Sequence, residues 1–500
     1  MKLRELLRKN AHTAFGKAHW FTTIDSYEEF SGRVPLSDYA SLEPWIARIR
    51  RGEEHILTND SVTRLIPTSG STGARKLIPF TTGLQHEFNA AIGPWLADLL
   101  RQSPGIIGGR AYWSITPVPV AEKEEDSAVA IGFDSDSSYL GAARRTLAEA
   151  VMAVPASVTS SKSLNEFQFG TLLHLLLCRD LRLISVWHPS FLTLLLDALP
   201  DYWDRLLHAI GQGSETTPAL PRRARELRAL KTFHPEALWP SLRVISCWAD
   251  AAAVLPFEQL RKRFPNVALQ PKGLIATEGF VSLPFQGQYP VAVLSHFFEF
   301  IDSRGRVRLV EELREPEEYE VVLTSSGGLW RYRLGDRVRV TGFLERTPCI
   351  KFIGRGEDVS DRFGEKLSEG FVSEIFKQVF GTNPPRFALL APDETDSRCC
   401  YTLYLEGALK KDWPEALEDA LRRNPHYAYC RDLGQLSPLR VFLIHKEGYE
   451  AYAKRLARNG TRLGGIKPRA LSQLSGWNDI FDGSYAGTGA SWPGLCCRSS

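Results

Sequence analysis

The sequence predicts an α/β fold divided into two domains. Its 500 residues exceed what one hydrophobic core usually spans, and from Ser163 onward apolar helical segments alternate with short apolar strands. Such alternation is typical of a sheet covered by helices, with ligands at the carboxyl ends of the strands. We expect a large N-terminal domain over residues 1–362 and a small α/β domain over 363–480. Residues 481–500 are rich in Gly and Ser, which predicts a disordered tail.

Composition excludes several functional classes. The net charge of +3 is too small for a nucleic-acid surface in a chain of this size. The longest apolar run, near residues 172–199, is interrupted by charged residues and does not predict a membrane span. The eight cysteines show neither zinc-ligand spacing nor a disulfide framework. The N-terminus lacks the apolar core of a signal peptide, so we expect a cytoplasmic protein.

Several local elements can be predicted from periodicity. Residues 1–60 look helical, with a helix start at Asp25 and Ser26, and 81–100 form an amphipathic helix. Buried strands are expected at 181–187 and 242–248. The second strand ends near Trp248 and Asp250, which would lie at the mouth of a site; packing of Trp248 in the core is an equally good interpretation.

A stretch of small and hydroxyl residues between two apolar runs predicts a phosphate-binding loop. Glycines let the backbone N–H groups approach an anion, hydroxyls add donors and a lysine adds a charge. The residues concerned are Thr68, Ser69, Gly70, Ser71, Thr72, Gly73 and Lys76. Their spacing is not that of the common P-loop. A polar hairpin connection is the alternative.

A second candidate is the Thr277-Glu278-Gly279 stretch. An apolar strand segment is expected to run into it, so that the Glu278 carboxylate follows a strand directly. Such a carboxylate can bind Mg²⁺, which takes few protein carboxylates and otherwise prefers water and phosphate oxygens. Taken alone, the stretch is more simply a solvated turn.

A third candidate lies in residues 328–342, which alternate apolar and basic residues as a β-ribbon does. The pattern is interrupted at Gly335 and Asp336. A carboxylate at such an interruption can accept hydrogen bonds from two ribose hydroxyls, or it can simply bond to its own turn. A short strand that ends in Gly354-Arg355-Gly356 follows, and then a polar segment to Glu369 that fits a hinge.

The order of these stretches resembles the adenylate-forming superfamily of acyl-CoA synthetases and luciferases. More specifically, the chain is similar to the auxin-responsive acyl-acid amido synthetases, the Gretchen Hagen family, from about residue 10 to about residue 475. The stretches that carry the likeness are 15–19, 34–39, 43–46, 52–53 with 56–57, and 332–343. The bacterial branch of the family is suggested by 246–250 and 464–468.

The resemblance implies that ATP and a carboxylic acid form an acyl-adenylate and pyrophosphate, after which an amine, usually an amino acid, takes the acyl group. It further implies a large domain of layered sheets with a distorted barrel, and a small mobile domain. By motif position, the hydroxyl-glycine loop and Lys76 would hold the phosphates, Glu278 the Mg²⁺, Asp336 the ribose and Arg355 the nucleotide near the hinge. Lys467 would be the mobile lysine of the small domain; otherwise it is a surface lysine.

Two other functions remain open at this stage. A CoA ligase of the same superfamily would share the nucleotide residues and differ in the second acceptor, and a non-catalytic nucleotide-binding protein could be built on the same fold. Adenylation requires charge neutralisation and alignment rather than proton transfer, which agrees with the lack of a convincing Ser-His-Asp or Cys-His arrangement. We therefore expect His188 and His296, beside apolar runs, to be core residues.

Overall fold

The computed structural model describes most of the chain in two compact units. The described residues are 2–68, 76–114, 127–132, 151–159, 164–214, 217–230, 234–250, 253–355, 359–381, 385–395, 398–458 and 469–486. The first unit ends at residue 356 and the second follows it. The division therefore falls earlier than the expected boundary at residue 362, because residues 359 and 360 form a strand that pairs within the second unit.

Helices open the chain, as the sequence predicts. They are α1 (Lys2–Asn10), α2 (Ala14–Ala18), α3 (Tyr27–Arg33) and α4 (Tyr39–Arg50). The expected helix start is confirmed, since the Ser26 hydroxyl accepts a hydrogen bond from the backbone N–H of Glu29. The apolar faces of these helices join the largest hydrophobic core, which also contains the strands of an antiparallel sheet described below.

An antiparallel hairpin follows, formed by β1 (Val62–Thr68) and β2 (Lys76–Thr81). The long helix α5 (Thr82–Gln102) begins directly after β2, where the Thr81 hydroxyl accepts from the backbone N–H of Leu84. Residues 127–132 lie against β1, with backbone hydrogen bonds on both sides of Leu65. The residues on either side of this segment, 115–126 and 133–150, lie outside the described part of the chain.

The alternating region folds into a four-stranded parallel sheet in the order β3-β4-β5-β6. Its strands are β3 (Arg110–Ser114), β4 (Leu181–Val186), β5 (Val244–Cys247) and β6 (Ala268–Pro271). The helices around it are α6 (Ala156–Thr159), α7 (Leu164–Leu177), α8 (Pro189–Asp197), α9 (Leu199–Gln212), α10 (Pro221–Arg228), α11 (Pro235–Leu238) and α12 (Val254–Arg263). Parallel strands whose helices cover the sheet confirm the α/β prediction.

A five-stranded antiparallel sheet completes the first unit, in the order β11-β10-β9-β7-β8. Its strands are β7 (Phe297–Asp302), β8 (Val307–Leu309), β9 (Glu318–Thr324), β10 (Tyr332–Leu344) and β11 (Thr347–Arg355). This sheet occupies the place of the distorted barrel that the resemblance implies; β8 and β11 are its edges among the described residues.

A buried ion pair ties this sheet to the N-terminal helices. Arg331 contacts the Glu299 carboxylate through Nε and Nη2 at 2.8 to 3.1 Å, and its Nη1 donates to the backbone oxygens of Ser31 and Val34. The hydroxyl of Tyr27 donates to the same carboxylate. Because the charges are fully hydrogen-bonded, the cost of removing them from water is offset.

The second unit is a smaller α/β body. Its strands are β12 (Val359–Ser360), β13 (Leu367–Ser368), β14 (Phe387–Thr395), β15 (Arg398–Glu406), β16 (Arg440–Ile444) and β17 (Gly483–Tyr485). Its helices are α13 (Glu369–Phe380), α14 (Trp413–Leu421), α15 (Pro425–Asp432) and α16 (Gly448–Arg458). Strands β14 to β17 form one sheet, and β12 pairs with β13.

The expected disordered tail at 481–500 is wrong in its first part. Residues 483–485 form β17, which pairs antiparallel with β16. The remainder of the tail, from residue 487, lies outside the described residues. Within the described ranges, no helix combines the length and apolar character that crossing a membrane requires.

Buried Glu365 marks the β12–β13 connection. Its carboxylate accepts hydrogen bonds from the Tyr401 hydroxyl at 2.6 Å and from the backbone N–H groups of Arg362 and Phe363. Burial, followed by the charge of Asp361, raises the pKa of Glu365 to about 7. The carboxyl group therefore takes up a proton far more easily here than in an unfolded chain.

Candidate functional site

The two ends of the candidate phosphate loop lie side by side on the β1–β2 hairpin. Thr68, the buried last residue of β1, is paired with Lys76, the first of β2. The Lys76 ammonium lies 5.8 Å from the centroid of the Tyr39 ring. Residues 69–73 lie outside the described residues, so the conformation of the loop stays a prediction. The hairpin brings the threonine and the lysine together, as a loop that closes around one ligand requires.

The Thr277–Glu278 pair forms the tip of a tight turn. Ala276 and Gly279 exchange two backbone hydrogen bonds, of 3.1 and 3.2 Å, on either side of it. Both tip side chains are half-buried. The expectation that a strand runs directly into Glu278 is wrong, because β6 already ends at Pro271. The carboxylate therefore projects from a turn that is fixed by its own backbone.

His296 supports this turn from behind. Its Nε2 accepts the backbone N–H of Phe280 at 3.2 Å. A β-carbon at Gly279 would lie 2.9 Å from the same nitrogen and 3.0 Å from Leu323 Cδ2, which explains why the position is glycine. The buried ring thus fixes the segment that follows Glu278.

The other nitrogen of His296 contacts a second buried group. Nδ1 lies 3.0 Å from Glu87 Oε2 on α5, and the hydrogen bonds place the ring proton on Nδ1. Glu87 also accepts from the backbone N–H and hydroxyl of Ser326 and pairs with Lys2. Burial acts to raise the pKa of Glu87, but these hydrogen bonds and charges outweigh it and lower that pKa. The expectation that His296 is a core residue is confirmed.

Asp336 and Arg355 lie opposite each other on β10 and β11. The interruption expected in the ribbon is confirmed: β10 leaves its register with β9 between Arg333 and Arg337, and Gly335 has a φ of +76°. Asp336 is only 1% exposed. The structure describes the backbone of Arg355, while its side chain lies outside the described part of the chain. Two residues expected to contact the nucleotide are therefore neighbours on adjacent strands.

The carboxyl end of β5 contacts the same strand β11. The ring centroids of Trp248 and Phe352 are 5.3 Å apart. Burial raises the pKa of Asp250, although the charge of Lys351 and a hydrogen bond from the Phe352 backbone act to lower it. Burial, with a smaller contribution from Asp250, raises the pKa of Tyr289 to about 12. Trp248 packs against the core at the strand end, as one of its two interpretations expects, and its place at the mouth of a site stays a prediction.

His188 is a core residue, as expected. It precedes α8, where its Nδ1 lies 2.7 Å from the Ser190 hydroxyl and accepts the Ser190 backbone N–H at 3.2 Å. Burial lowers its pKa to about 3. The ring is therefore neutral and serves as a helix cap.

A row of buried and half-buried polar side chains next to this region was not predicted from the sequence. It contains Trp113 on β3, Ser185 on β4, Ser246 on β5 and Lys272 just after β6. The only local signal was a lysine placed directly after an apolar segment. The four residues are far apart in the chain, so their proximity depends on the strand order.

Three successive domain descriptions of one family match the chain. The GH3 family N-terminal domain matches residues 1–269, the central domain 289–355 and the C-terminal domain 372–475. The chain belongs to the GH3 family. The expectation of a Gretchen Hagen family member is thereby confirmed. The first unit contains the N-terminal and central GH3 domains, and the second contains the C-terminal one.

Relatives of this GH3 chain include plant and animal proteins. A "probable indole-3-acetic acid-amido synthetase GH3.12" of Oryza sativa subsp. japonica is 25% identical over 71% of the chain and 68% of the relative. The "jasmonoyl--L-amino acid synthetase JAR6" of Nicotiana attenuata is 24% identical over the same shares. A human "GH3 domain-containing protein" is 27% identical over 51% of the chain and 53% of its own length.

Solved structures share the fold. An AtGH3.15 acyl acid amido synthetase in complex with 2,4-DB superposes with a TM-score of 0.65 at 19% identity, over 98% of this chain and 94% of that one. A 2-hydroxyisobutyryl-CoA ligase superposes with a TM-score of 0.53 at 13% identity, over 91% of both chains. At these identities the likeness concerns the fold, and it confirms the predicted pair of a large and a small α/β domain.

Proposed function

We propose that this GH3 chain is an acyl-acid amido synthetase that works in two steps. In the first, a carboxylate oxygen of the acid attacks the α-phosphorus of ATP, and the bond to pyrophosphate breaks. In the second, an amine nitrogen, that of an amino acid, attacks the acyl carbon; AMP leaves and the amine loses a proton. The observation that carries the proposal is the match of all three GH3 domains, together with relatives named as amido synthetases.

ATP would contact several residues of the first unit. The carboxylate of Asp336 is buried, which favours a role in accepting hydrogen bonds from two ribose hydroxyls over that of a solvated turn residue. Arg355, opposite it, would face the nucleotide near the end of this unit. Thr68 and Lys76 would hold phosphates together with the intervening loop. The half-buried Thr277 would add a hydroxyl.

Mg²⁺ would bind at Glu278. The donors at this turn tip are hard oxygen atoms, a carboxylate and the Thr277 hydroxyl, which suit Mg²⁺ better than softer metals. The ion would supply charge neutralisation on the phosphates. The protein's part is to hold the carboxylate still through the turn, which His296 anchors at Phe280.

Lys467 would complete adenylation from the second unit. It lies outside the described residues, so its role rests on the motif at 464–468. Its charge would stabilise the α-phosphate and acyl oxygens in the transition state.

Finer placements are also part of the proposal. We assign the chain to the bacterial branch of the family and to the adenylate-forming superfamily, and we expect it in the cytoplasm. The shared fold with a CoA ligase supports the superfamily assignment. A sequence tree of plant and bacterial relatives tests the branch, and cell fractionation tests the location.

Acid-dependent exchange of labelled pyrophosphate into ATP tests the first step. We expect exchange with a suitable acid in the absence of any amine, because adenylation precedes transfer. A panel of aromatic, aliphatic and hydroxy acids should be used, each with and without an amino-acid mixture. Exchange that always requires the amine would contradict two separate steps, and its absence with every acid would favour a non-catalytic nucleotide-binding protein.

The second acceptor distinguishes an amido synthetase from a CoA ligase. Once an active acid is known, the products formed with an amino-acid mixture and with CoA should be compared by mass spectrometry. We expect an amide and AMP. A thioester formed in preference to the amide would identify a CoA ligase instead.

A further inference from the structure

One face of the parallel sheet carries a row of polar side chains beneath α5. Trp113, Ser185, Ser246 and Gln270 occupy paired positions on β3, β4, β5 and β6. Paired residues of neighbouring strands point to the same face of a sheet. Helix α5 covers this face, and the indole N–H of Trp95 donates to Gln270 Oε1 at 2.9 Å. The row is thus a polar layer inside an otherwise apolar interface.

Lys272 adds a positive charge to this layer at the carboxyl end of β6. Its ammonium donates to the Ser185 hydroxyl at 2.7 Å. It also lies 6.0 Å from the ring centroids of both Trp95 and Trp113, whose planes are nearly perpendicular. Aromatic faces attract a cation most strongly where water is excluded. Among the described residues, the ammonium thus contacts a hydroxyl and two indoles.

Two polar groups of the layer have no hydrogen-bond partner among the described residues. The indole nitrogen of Trp113 and the hydroxyl of Ser246 are buried and hydrogen-bond to no described residue. The indole N–H can only donate. Buried polar groups that stay unpaired cost stability, so a ligand that pairs with them gains affinity. A ligand group that pairs with this indole and this hydroxyl, next to an ammonium, is therefore expected to be an oxygen acceptor with negative or partly negative charge.

We propose that Trp95, Trp113, Ser246 and Lys272 recognise a second oxygen group on the acyl acid, apart from its reacting carboxylate. The substrates would then be hydroxy, oxo or dicarboxylic acids rather than plain hydrocarbon acids. This inference rests on the proposed function. A reacting carboxylate held by an ammonium would be a weaker nucleophile, so the cluster is better suited to the far end of the acid. The two indoles supply apolar walls for the carbon skeleton between the oxygens.

Matched pairs of acids test the inference. Suitable pairs are 4-oxopentanoate with pentanoate, and 3-(4-hydroxyphenyl)propanoate with 3-phenylpropanoate. Both pyrophosphate exchange and calorimetric binding should be measured, since binding does not depend on turnover. We expect the unaltered protein to favour the oxygenated member of at least one pair by about tenfold or more in KM and Kd, as for a hydrogen bond to a charged group.

Two variants locate the preference. Lys272→Met should abolish the preference by raising the KM and Kd of the oxygenated acid about tenfold. The KM and Kd of the hydrocarbon acid and the KM for ATP should stay unchanged. Trp113→Phe keeps a ring but removes the N–H, and should act in the same direction with a smaller effect. Lys262→Met, on the exposed side of α12, is the matched control and should keep the preference. If Lys272→Met fails to fold, Trp113→Phe carries the test.

The outcomes separate this inference from the proposed function. Suppose that some acid supports exchange, but that Lys272→Met weakens both members of each acid pair equally. The proposed amide synthesis would then stand, and the recognition role of the cluster would be overturned. A general loss of kcat would overturn it too. If no acid supports exchange, the proposed function fails, and calorimetry alone tests the cluster. Selective binding of oxygenated acids that is lost in Lys272→Met would support the recognition role. Equal binding of both acids of a pair, or no binding, would overturn it.

Discussion

Asp336 and Arg355 lie directly opposite each other on β10 and β11, at the point where β10 leaves its register with β9. The bulge interrupts the pairing of β10 with β9 around Asp336, and β11 ends at Arg355. An acidic and a basic residue are thereby placed at one end of the antiparallel sheet. This arrangement supports the proposal that both residues contact the nucleotide.

Asp336→Asn should raise the KM for ATP. The change keeps the shape of the side chain but removes the charge that accepts from two hydroxyls, and charged hydrogen bonds are worth about 1.5–3 kcal/mol each, so a rise of roughly ten- to a hundredfold is expected. The KM for the acid should change little. Glu345→Gln, at the exposed far end of the same strand pair, is the control. Unchanged ATP affinity would assign Asp336 to the bulge alone.

Glu278→Gln should abolish most adenylation without affecting folding. The turn is held by the backbone bonds between Ala276 and Gly279 and by His296, so the melting temperature should stay close to that of the unaltered protein. We expect a loss of about 10²–10³ in the exchange rate at saturating Mg²⁺, comparable to removing one electrostatic stabiliser. Glu311→Gln, which is exposed, is the control. If the variant unfolded instead, Glu278 would have a structural role and the proposed Mg²⁺ role would be contradicted.

Lys467→Ala should slow adenylation by about 10²–10³, because its charge would act mainly on the transition state. Amide formation from acyl-adenylate supplied from outside should be much less affected, because that half-reaction is expected to use another closed state of the small domain. Rapid-quench measurement of both half-reactions decides the matter, with Lys454→Ala on α16 as control. Equal losses in both would indicate general damage to the second unit.

Glu87→Gln should lower the stability of the protein at neutral pH and reduce the loss of stability as the pH falls. The folded pKa of Glu87 is lowered, so its contribution is present above the unfolded value of 4.5 and is lost as the pH falls through the folded pKa. Thermal unfolding of variant and unaltered protein should be compared between pH 3 and 7, about where a carboxyl titrates. The two curves should converge at low pH. Parallel curves would contradict a charged Glu87.

Glu365→Gln should have the opposite pH dependence. The folded pKa is raised to about 7, so the contribution of Glu365 to stability is full below the unfolded value of 4.5 and is lost as the pH rises through 7. The glutamine, which does not titrate, should remove this loss. Melting temperatures measured across that window test it. A variant that loses stability with rising pH as steeply as the unaltered protein would exclude Glu365 as the cause.

Periodicity was a reliable guide where an element packs one face on a core. The helix expected at 81–100 is observed at Thr82–Gln102, and the strand expected at 181–187 at Leu181–Val186. The strand expected to lead into Glu278 is absent because the chain folds back at Gly273, where a β-carbon would lie 2.2 Å from the backbone oxygen of Ser282. Apolar composition alone does not distinguish such a close return from a strand.

The C-terminal tail shows that composition alone can also wrongly predict disorder. Its glycine-rich composition predicts disorder, yet Gly483 lies in β17, where a β-carbon would come 2.2 Å from the backbone oxygen of Leu443. Here glycine permits close strand pairing. Whether a glycine loosens a chain or lets two segments approach depends on the partner segment, which the local sequence does not contain.

The sequence by itself predicted the family and the two-domain α/β class, and it singled out Asp336, Arg355 and Glu278 as candidate site residues, because each of the three belongs to a short motif whose spacing is local. Only the tertiary structure decided which side chains meet. His296 reaches the turn after Glu278 from a different segment, and Lys272 lies between Trp95 and Trp113 because the order of β3 to β6 brings them together. Contacts of this kind join residues far apart in the chain, and their geometry is set by strand order and helix packing rather than by any local pattern.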